Sequence, residues 1–203
     1  MRHLSEMLAT GFLAYLLGSV PFGILVSRVF GSEDPRQRGS GNIGATNVAR
    51  VAGMKAGILT LALDTGKASL AVSLPQLFGL EEGLALACAL LVVLGHMFPV
   101  WTKFRGGKGI ASILGSTLVL SPAVTAAGLV AFALVVGVTR YVSLGSLLAL
   151  LTGFAASWVY APSDPGLKFV LFAFMLLGAL KHTPNIRRLA MGCEPKFRAG
   201  SKT

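Results

Sequence analysis

The sequence predicts an all-α polytopic membrane protein: seven transmembrane helices, with the N-terminus outside and the C-terminus cytoplasmic. Three observations predict it. The chain is 54% hydrophobic and only 13% charged, with a mean hydropathy of +0.73, whereas a soluble domain carries about 25% charged residues. Uncharged runs of span length recur along it. Its basic residues gather in clusters separated by those runs. Residues 1–203 read as a single integral membrane domain. The net charge of +10 follows from basic residues that flank spans on the cytoplasmic side, and no nucleic-acid partner is implied.

A span needs about 20 apolar residues. Residues 7–27 are uncharged and Arg28 ends them. Residues 56–78 are apolar apart from Asp64 and Lys67, which share a helix face at a spacing of three and are expected to pair as a structural ion pair. Residues 83–102 are uncharged. The uncharged run 109–139 would be about 46 Å long as one helix, against a hydrocarbon core of about 30 Å. Residues 141–163 form another such run, and 169–180 a short one that Lys168 extends by snorkelling.

Charge resolves the long run. Arg36, Arg38, Arg50 and Lys55 follow the first span. Lys103, Arg105 and Lys108 follow the third, and Lys181, Arg187, Arg188, Lys196, Arg198 and Lys202 fill the tail. These clusters share the cytoplasmic face only if 109–139 is two short spans hinged at Ser121-Pro122, where proline disrupts a helix interior. The turn between spans two and three then carries only Glu81 and Glu82, outside. Cys88 and Cys193 show no disulfide or zinc spacing. The first run has no clear cleavage site, so no signal peptide is expected. His3 reads as a mobile terminal residue.

Three polar segments fall on the inferred cytoplasmic face: "GSGNIGATNVAR" (39–50), "GHMFPVWTKFRGGKG" (95–109) and "KHTPNIRRLAMGCEPK" (181–196). Glycines allow backbone amides to turn toward an anion. Ser40, Asn42, Thr46 and Asn47 add side-chain donors, and Arg50 adds a fork for phosphate. Arg105, Gly106, Gly107 and Lys108 repeat the pattern at a helix start. Glycine and cations in a membrane loop commonly mark only a turn. Here His96, His182 and Asn185 accompany them, and a polar group such as His96 inside a span is costly. "GGKG" lacks the Walker spacing, no H-x-x-x-x-D or G-x-S-x-G occurs, and the few acids form no carboxylate cluster of the kind two-metal chemistry wants. The expected site is electropositive, takes no metal or other cofactor, and suits a strongly anionic ligand. A transporter of an anionic phosphorylated metabolite is the alternative reading, although no inverted repeat is evident.

Taken in order, the segments resemble the acyl-phosphate:glycerol-3-phosphate acyltransferase family of bacterial membranes. "GSGNIGATN" with Arg50 is similar to its first motif, "GHMFPVW..FRGGKG" to its second and "KH..NI.RL..G.EPK" to its third. Trp101 and Arg105 stand where the family has phenylalanine and lysine, Lys181 where it has arginine, and Pro184 where it has a more polar residue. The resemblance implies seven spans and a site at the cytoplasmic face of the inner membrane. It implies acyl transfer from acyl phosphate to the 1-hydroxyl of sn-glycerol 3-phosphate, giving lysophosphatidate and phosphate. It also implies that Ser40, Arg50, Lys108, His182 and Asn185 hold glycerol phosphate. Gly41, Asn42, Gly44, Asn47, Gly106 and Gly107 are expected to form loop cradles. Lys108 and His96 are expected near the acyl phosphate and the developing charge, with Arg105 beside them. The general base is His182, His96 or the substrate's own phosphate. Partners are the two substrates and membrane lipids.

Overall fold

A computed structural model of the chain describes residues 2–81 and 83–197. Glu82, Arg198 and Lys202 lie outside the described residues, as does the side chain of His3. All regular structure among the described residues is helical. The chain divides into two compact units, Met1–Leu120 and Ser121–Thr203.

The first unit contains α1 (Arg2–Ser19), α2 (Phe22–Val29), α3 (Ala45–Ala52), α4 (Met54–Leu77), α5 (Leu84–Met97) and α6 (Ile110–Leu120). The run 7–27, expected to be one helix, is broken at Val20-Pro21, because proline supplies no amide to continue the ladder. The Val20 carbonyl that the break releases accepts from Lys67 Nζ at 2.7 Å. Small residues let backbones meet, as helix pairs in lipid require. A Cβ on Gly18 would sit 2.1 Å from the Val92 carbonyl oxygen, and one on Gly95 would sit 2.2 Å from that of Tyr15, so α1 and α5 touch along their backbones. Gly115 does the same for α6 against α4, where Ser69 Oγ also donates to the Gly115 carbonyl at 2.9 Å.

The α5 helix stops at Met97 rather than running to residue 102. Pro99 is the cause: the residue before a proline is pushed out of the helical region, and Phe98 has φ −134°. A single 3-10 turn, Val100–Thr102, follows.

The second unit contains α7 (Pro122–Thr139), α8 (Val142–Tyr160), α9 (Pro165–Lys181) and α10 (Thr183–Ala190). The hinge expected at Ser121-Pro122 is present, with Pro122 opening α7. Arg140, at φ 62°, turns α7 into α8. Asp164 caps α9 by accepting from the Leu167 amide at 2.8 Å. Lys168 Nζ lies 4.3 Å from the Trp158 ring centroid and donates to the Pro162 carbonyl, so its charge reaches away from the apolar run. The α9 and α10 helices meet at a 61° bend. Leu129, Val130, Leu134 and Val138 of α7 are exposed, as a lipid-facing helix requires.

Among the described residues five helical stretches are long and apolar enough to cross a membrane, with α1 and α2 counted together as Leu4–Val29, or six if the bent α9–α10 pair counts as one span; α6 is a shorter apolar helix.

Candidate active site

In the first segment the chain is organised by one side chain. Asn47 is 2% exposed. Its Oδ1 accepts from the Ser40 amide at 2.8 Å, and its Nδ2 donates to the carbonyls of Pro35, Asn42 and Arg38 at 2.8, 2.8 and 3.1 Å. Asn47 therefore fastens the loop from within. Gly39 and Gly41 adopt φ 61° and 73°, which a side chain resists. A Cβ on Gly39 would lie 2.2 Å from Asn47 Oδ1. The amides of Gly41 and Gly44 are used internally, on the Arg38 carbonyl and Asn42 Oδ1. Ser40 and Arg50 lie exposed at the surface of this scaffold. The first turn of α3 has no side-chain cap, so its leading amides lend positive character to the end of the loop, while Arg50 stands in the last turn of the helix.

The flanking acids neutralise two of the loop's cations. Arg36 pairs with Asp34 at 2.6 Å and Arg38 with Glu33 at 2.5 Å. The Arg36 hydrogen bond holds the Asp34 carboxyl below its ordinary value, and the Arg38 hydrogen bond does the same for Glu33.

Replacing Asn47 by alanine removes four hydrogen bonds and leaves the buried Pro35 carbonyl without its donor. The expected cost is about 3 kcal/mol, and with Ser40 and the loop released, kcat/KM should fall by about 100-fold. A thermal melt in detergent and steady-state kinetics on Asn47→Ala check both.

The second segment departs from its expected chemistry. Gly106 and Gly107 were expected to turn their amides toward a ligand. Instead they donate to the carbonyls of Met97 and His96 at 3.3 and 3.1 Å. Their lack of a side chain serves packing: a Cβ on Gly106 would lie 2.2 Å from the His96 carbonyl oxygen, and one on Gly107 would lie 2.2 Å from His96 Nε2. The turn is thus folded back onto the end of α5. Lys103 and Phe104, ahead of it, take φ 54° and 61°, a conformation rare for non-glycine residues. Lys108 emerges half-buried, two residues before α6. Arg105 is exposed and lines an open cleft with Arg36, Trp101, Thr102 and Lys103. His96 is buried. The expected Asp64–Lys67 pair is present at 2.7 Å.

The third segment belongs to the second unit. His182 sits at the bend after α9, buried, with Nδ1 2.8 Å from the Gly178 carbonyl. A carbonyl only accepts, so Nδ1 carries a proton. Asn185 Nδ2 donates to Glu194 Oε1 at 2.6 Å. Ser143 Oγ donates to the same oxygen at 2.6 Å, and Arg188 Nε to Oε2 at 2.7 Å. Glu194 stands in the sequence as one of a few acids, with nothing local to mark it. Its partners show that it orients the Asn185 amide, and Ser143 was not singled out at all. The signal available was the "EPK" that closes the segment, nine residues after Asn185.

Burial raises the Glu194 carboxyl's pKa, but the bonds from Ser143, Asn185 and Arg188 outweigh it and hold the group below its ordinary value of 4.5. A lowered native value stabilises the fold fully above the ordinary value, and that contribution is lost as pH falls through the native one. Glu194→Gln should therefore melt well below wild type at pH 7, with the gap narrowing below about pH 4; melts across that range check it.

Among the described residues no three of His, Cys, Asp and Glu come together as metal ligands. Both cysteines are free, Cys88 buried and Cys193 exposed.

The fold defines a class: an all-helical membrane protein whose two units each carry cationic and amide side chains beside their helix ends. Residues 8–192 match the family model described as glycerol-3-phosphate acyltransferase. A glycerol-3-phosphate acyltransferase of Methylobacillus flagellatus is 45% identical over 186 residues, covering 91% of this chain and 93% of that one. The crystal structure of PlsY (YgiH), an integral membrane glycerol 3-phosphate acyltransferase, in its glycerol 3-phosphate form, superposes with a TM-score of 0.88 at 36% identity, covering 95% of this chain and 96% of that one. Its lysophosphatidic acid form superposes at 0.84 and 34% identity, with the same coverage. The chain belongs to the glycerol-3-phosphate acyltransferase family.

Proposed function

We propose that the protein transfers a fatty acyl group from acyl phosphate to the 1-hydroxyl of sn-glycerol 3-phosphate, giving lysophosphatidate and inorganic phosphate, the first acylation of phospholipid synthesis. One observation carries it: a solved relative matching 95% of this chain is described in both a glycerol 3-phosphate form and a lysophosphatidic acid form, the acceptor and the acylated product. Acyl phosphate as the donor rests on the three motifs and on chemistry. It is a mixed anhydride with a good leaving group, so no enzyme nucleophile is required. The substrate hydroxyl oxygen attacks the acyl carbon, the carbonyl becomes an oxyanion, and the carbon–oxygen bond to phosphate then breaks with its electron pair leaving on phosphate. The hydroxyl proton passes to His182, His96 or a substrate phosphate.

Two phosphates brought close together repel unless cations offset them. Ser40, Arg50, Lys108, His182 and Asn185 hold glycerol phosphate. Arg105 and Lys108 serve the acyl phosphate and its developing charge. Gly41, Asn42, Gly44, Asn47, Gly106 and Gly107 shape the loops. The topology is seven spans, with the short α6 as one of them, the N-terminus outside, and the site on the cytoplasmic face of a bacterial inner membrane.

Purified protein given radiolabelled glycerol 3-phosphate should form labelled lysophosphatidate with palmitoyl phosphate and none with palmitoyl-CoA. Product from the thioester alone overturns the donor.

A further inference from the structure

The Asp64–Lys67 pair does more than neutralise two intramembrane charges. Asp64 and Lys67 of α4 are 1% and 6% exposed, and His96 of α5 is 4% exposed. Lys67 Nζ reaches Asp64 Oδ1 at 2.7 Å and also ties down the Val20 carbonyl. On its other side Asp64 Oδ1 faces His96 Nδ1 at 3.5 Å. Neither contact has hydrogen-bond geometry at that oxygen, so the carboxylate holds the cluster by charge. Its field favours the proton on Nδ1 and leaves Nε2 as the acceptor face of the ring. That face abuts Gly107, whose amide donates to the carbonyl of the same histidine. Lys108 is the next residue. A buried chain therefore runs from the α1–α2 break through Lys67, Asp64 and His96 to the turn that presents Lys108.

We propose that Asp64 is a positioning residue for acyl transfer, acting through His96 on the Gly106-Gly107-Lys108 turn. The inference rests on Lys108 belonging to the site. A carboxylate that merely balanced Lys67 would have no reason to face the imidazole. A ring this close to Gly107 cannot move without moving the turn, and a displacement of about 1 Å at a reacting group costs about 100-fold in rate.

The test is a set of variants, each assayed for kcat and for thermal midpoint in detergent. Asp64→Asn/Lys67→Met removes both charges together. It should still fold, with its midpoint lowered by the lost Lys67–Val20 bond, but lose kcat by about 100-fold. His96→Gln should lose a similar factor, and Asp64→Asn/His96→Gln no more than His96→Gln alone, because Asp64 acts only through the ring. Full kcat in the charge-free pair, or losses that multiply, overturns the proposal. Should the charge-free pair not fold, Asp64→Glu decides: it keeps the charge but displaces the carboxylate, and unchanged kcat overturns the proposal. Lys108→Ala is run alongside. If it is active, the turn lies outside the site and the site reading fails with the proposal. If it is inactive while the Asp64 variants are not, the positioning role alone fails.

Discussion

Lys108→Ala is expected to lower kcat/KM by about 1,000-fold while leaving the thermal midpoint near that of wild type. The size follows from the chemistry required of this position. The reaction develops negative charge on the acyl oxygen and on departing phosphate, while a second phosphate is already bound. A preorganised cation in a partly desolvated place is worth far more there than in water. Lys108 is half-buried two residues before α6, where the helix N-terminus adds to the positive potential felt by an anion, and the preceding turn is pinned through two backbone bonds to His96 and Met97. Pinning limits the freedom lost on binding, so removal of the ammonium is not made good by another side chain. Stability is little affected because the position is outside the buried core. Steady-state kinetics with both substrates varied, beside a melt, check both statements. A loss in melting equal to that of an unfolded control would assign Lys108 to structure instead.

Asn185→Asp has the second large effect. The substituted atom lies 2.6 Å from Glu194 Oε1, so the change sets two carboxylates against each other in a buried place, where like charges cannot both ionise. Folding should suffer at pH 7 and recover as the pH falls, when the two groups come to share a proton. The exchange variant Asn185→Asp/Glu194→Gln restores a donor and an acceptor with their direction reversed, and the melt should return toward wild type. Activity should not return. A carboxylate at 185 repels an anionic substrate where the amide would bind it, and the loss should stay at about 100-fold or more, the order expected when one preorganised donor is lost. Melts and rates on the single and exchanged variants separate scaffold from site, and full activity in the exchanged variant would remove Asn185 from the site.

Composition, proline position and charge were enough to read much of the fold. The hinge at Ser121-Pro122 was legible because proline coincided with a run too long for one span. The Asp64–Lys67 pair was legible because two opposite charges three residues apart in a span have few other options. The break at Val20-Pro21 was harder to see: the run 7–27 is uncharged throughout and Pro21 was its only signal. Side-chain direction was not legible in the loops. Asn47 and Asn42 look alike in sequence, yet Asn47 turns inward and holds four partners. Gly106 and Gly107 look like an anion nest, yet their amides fold back onto Met97 and His96 at the end of α5 within the same segment, a choice of partner that the residue types alone do not encode. Glu194 was undervalued for the same reason: its partners Ser143 and Asn185 come from different helices.

The most direct measurement of acyl transfer is stoichiometric. Purified protein in detergent is mixed with palmitoyl phosphate and glycerol 3-phosphate in the presence of a chelator, and phosphate and lysophosphatidate are followed together. Acyl transfer predicts that both appear at equal rates, one phosphate for each lysophosphatidate. Phosphate released without lysophosphatidate would make the protein a hydrolase of acyl phosphates, and the proposed acceptor chemistry would be wrong.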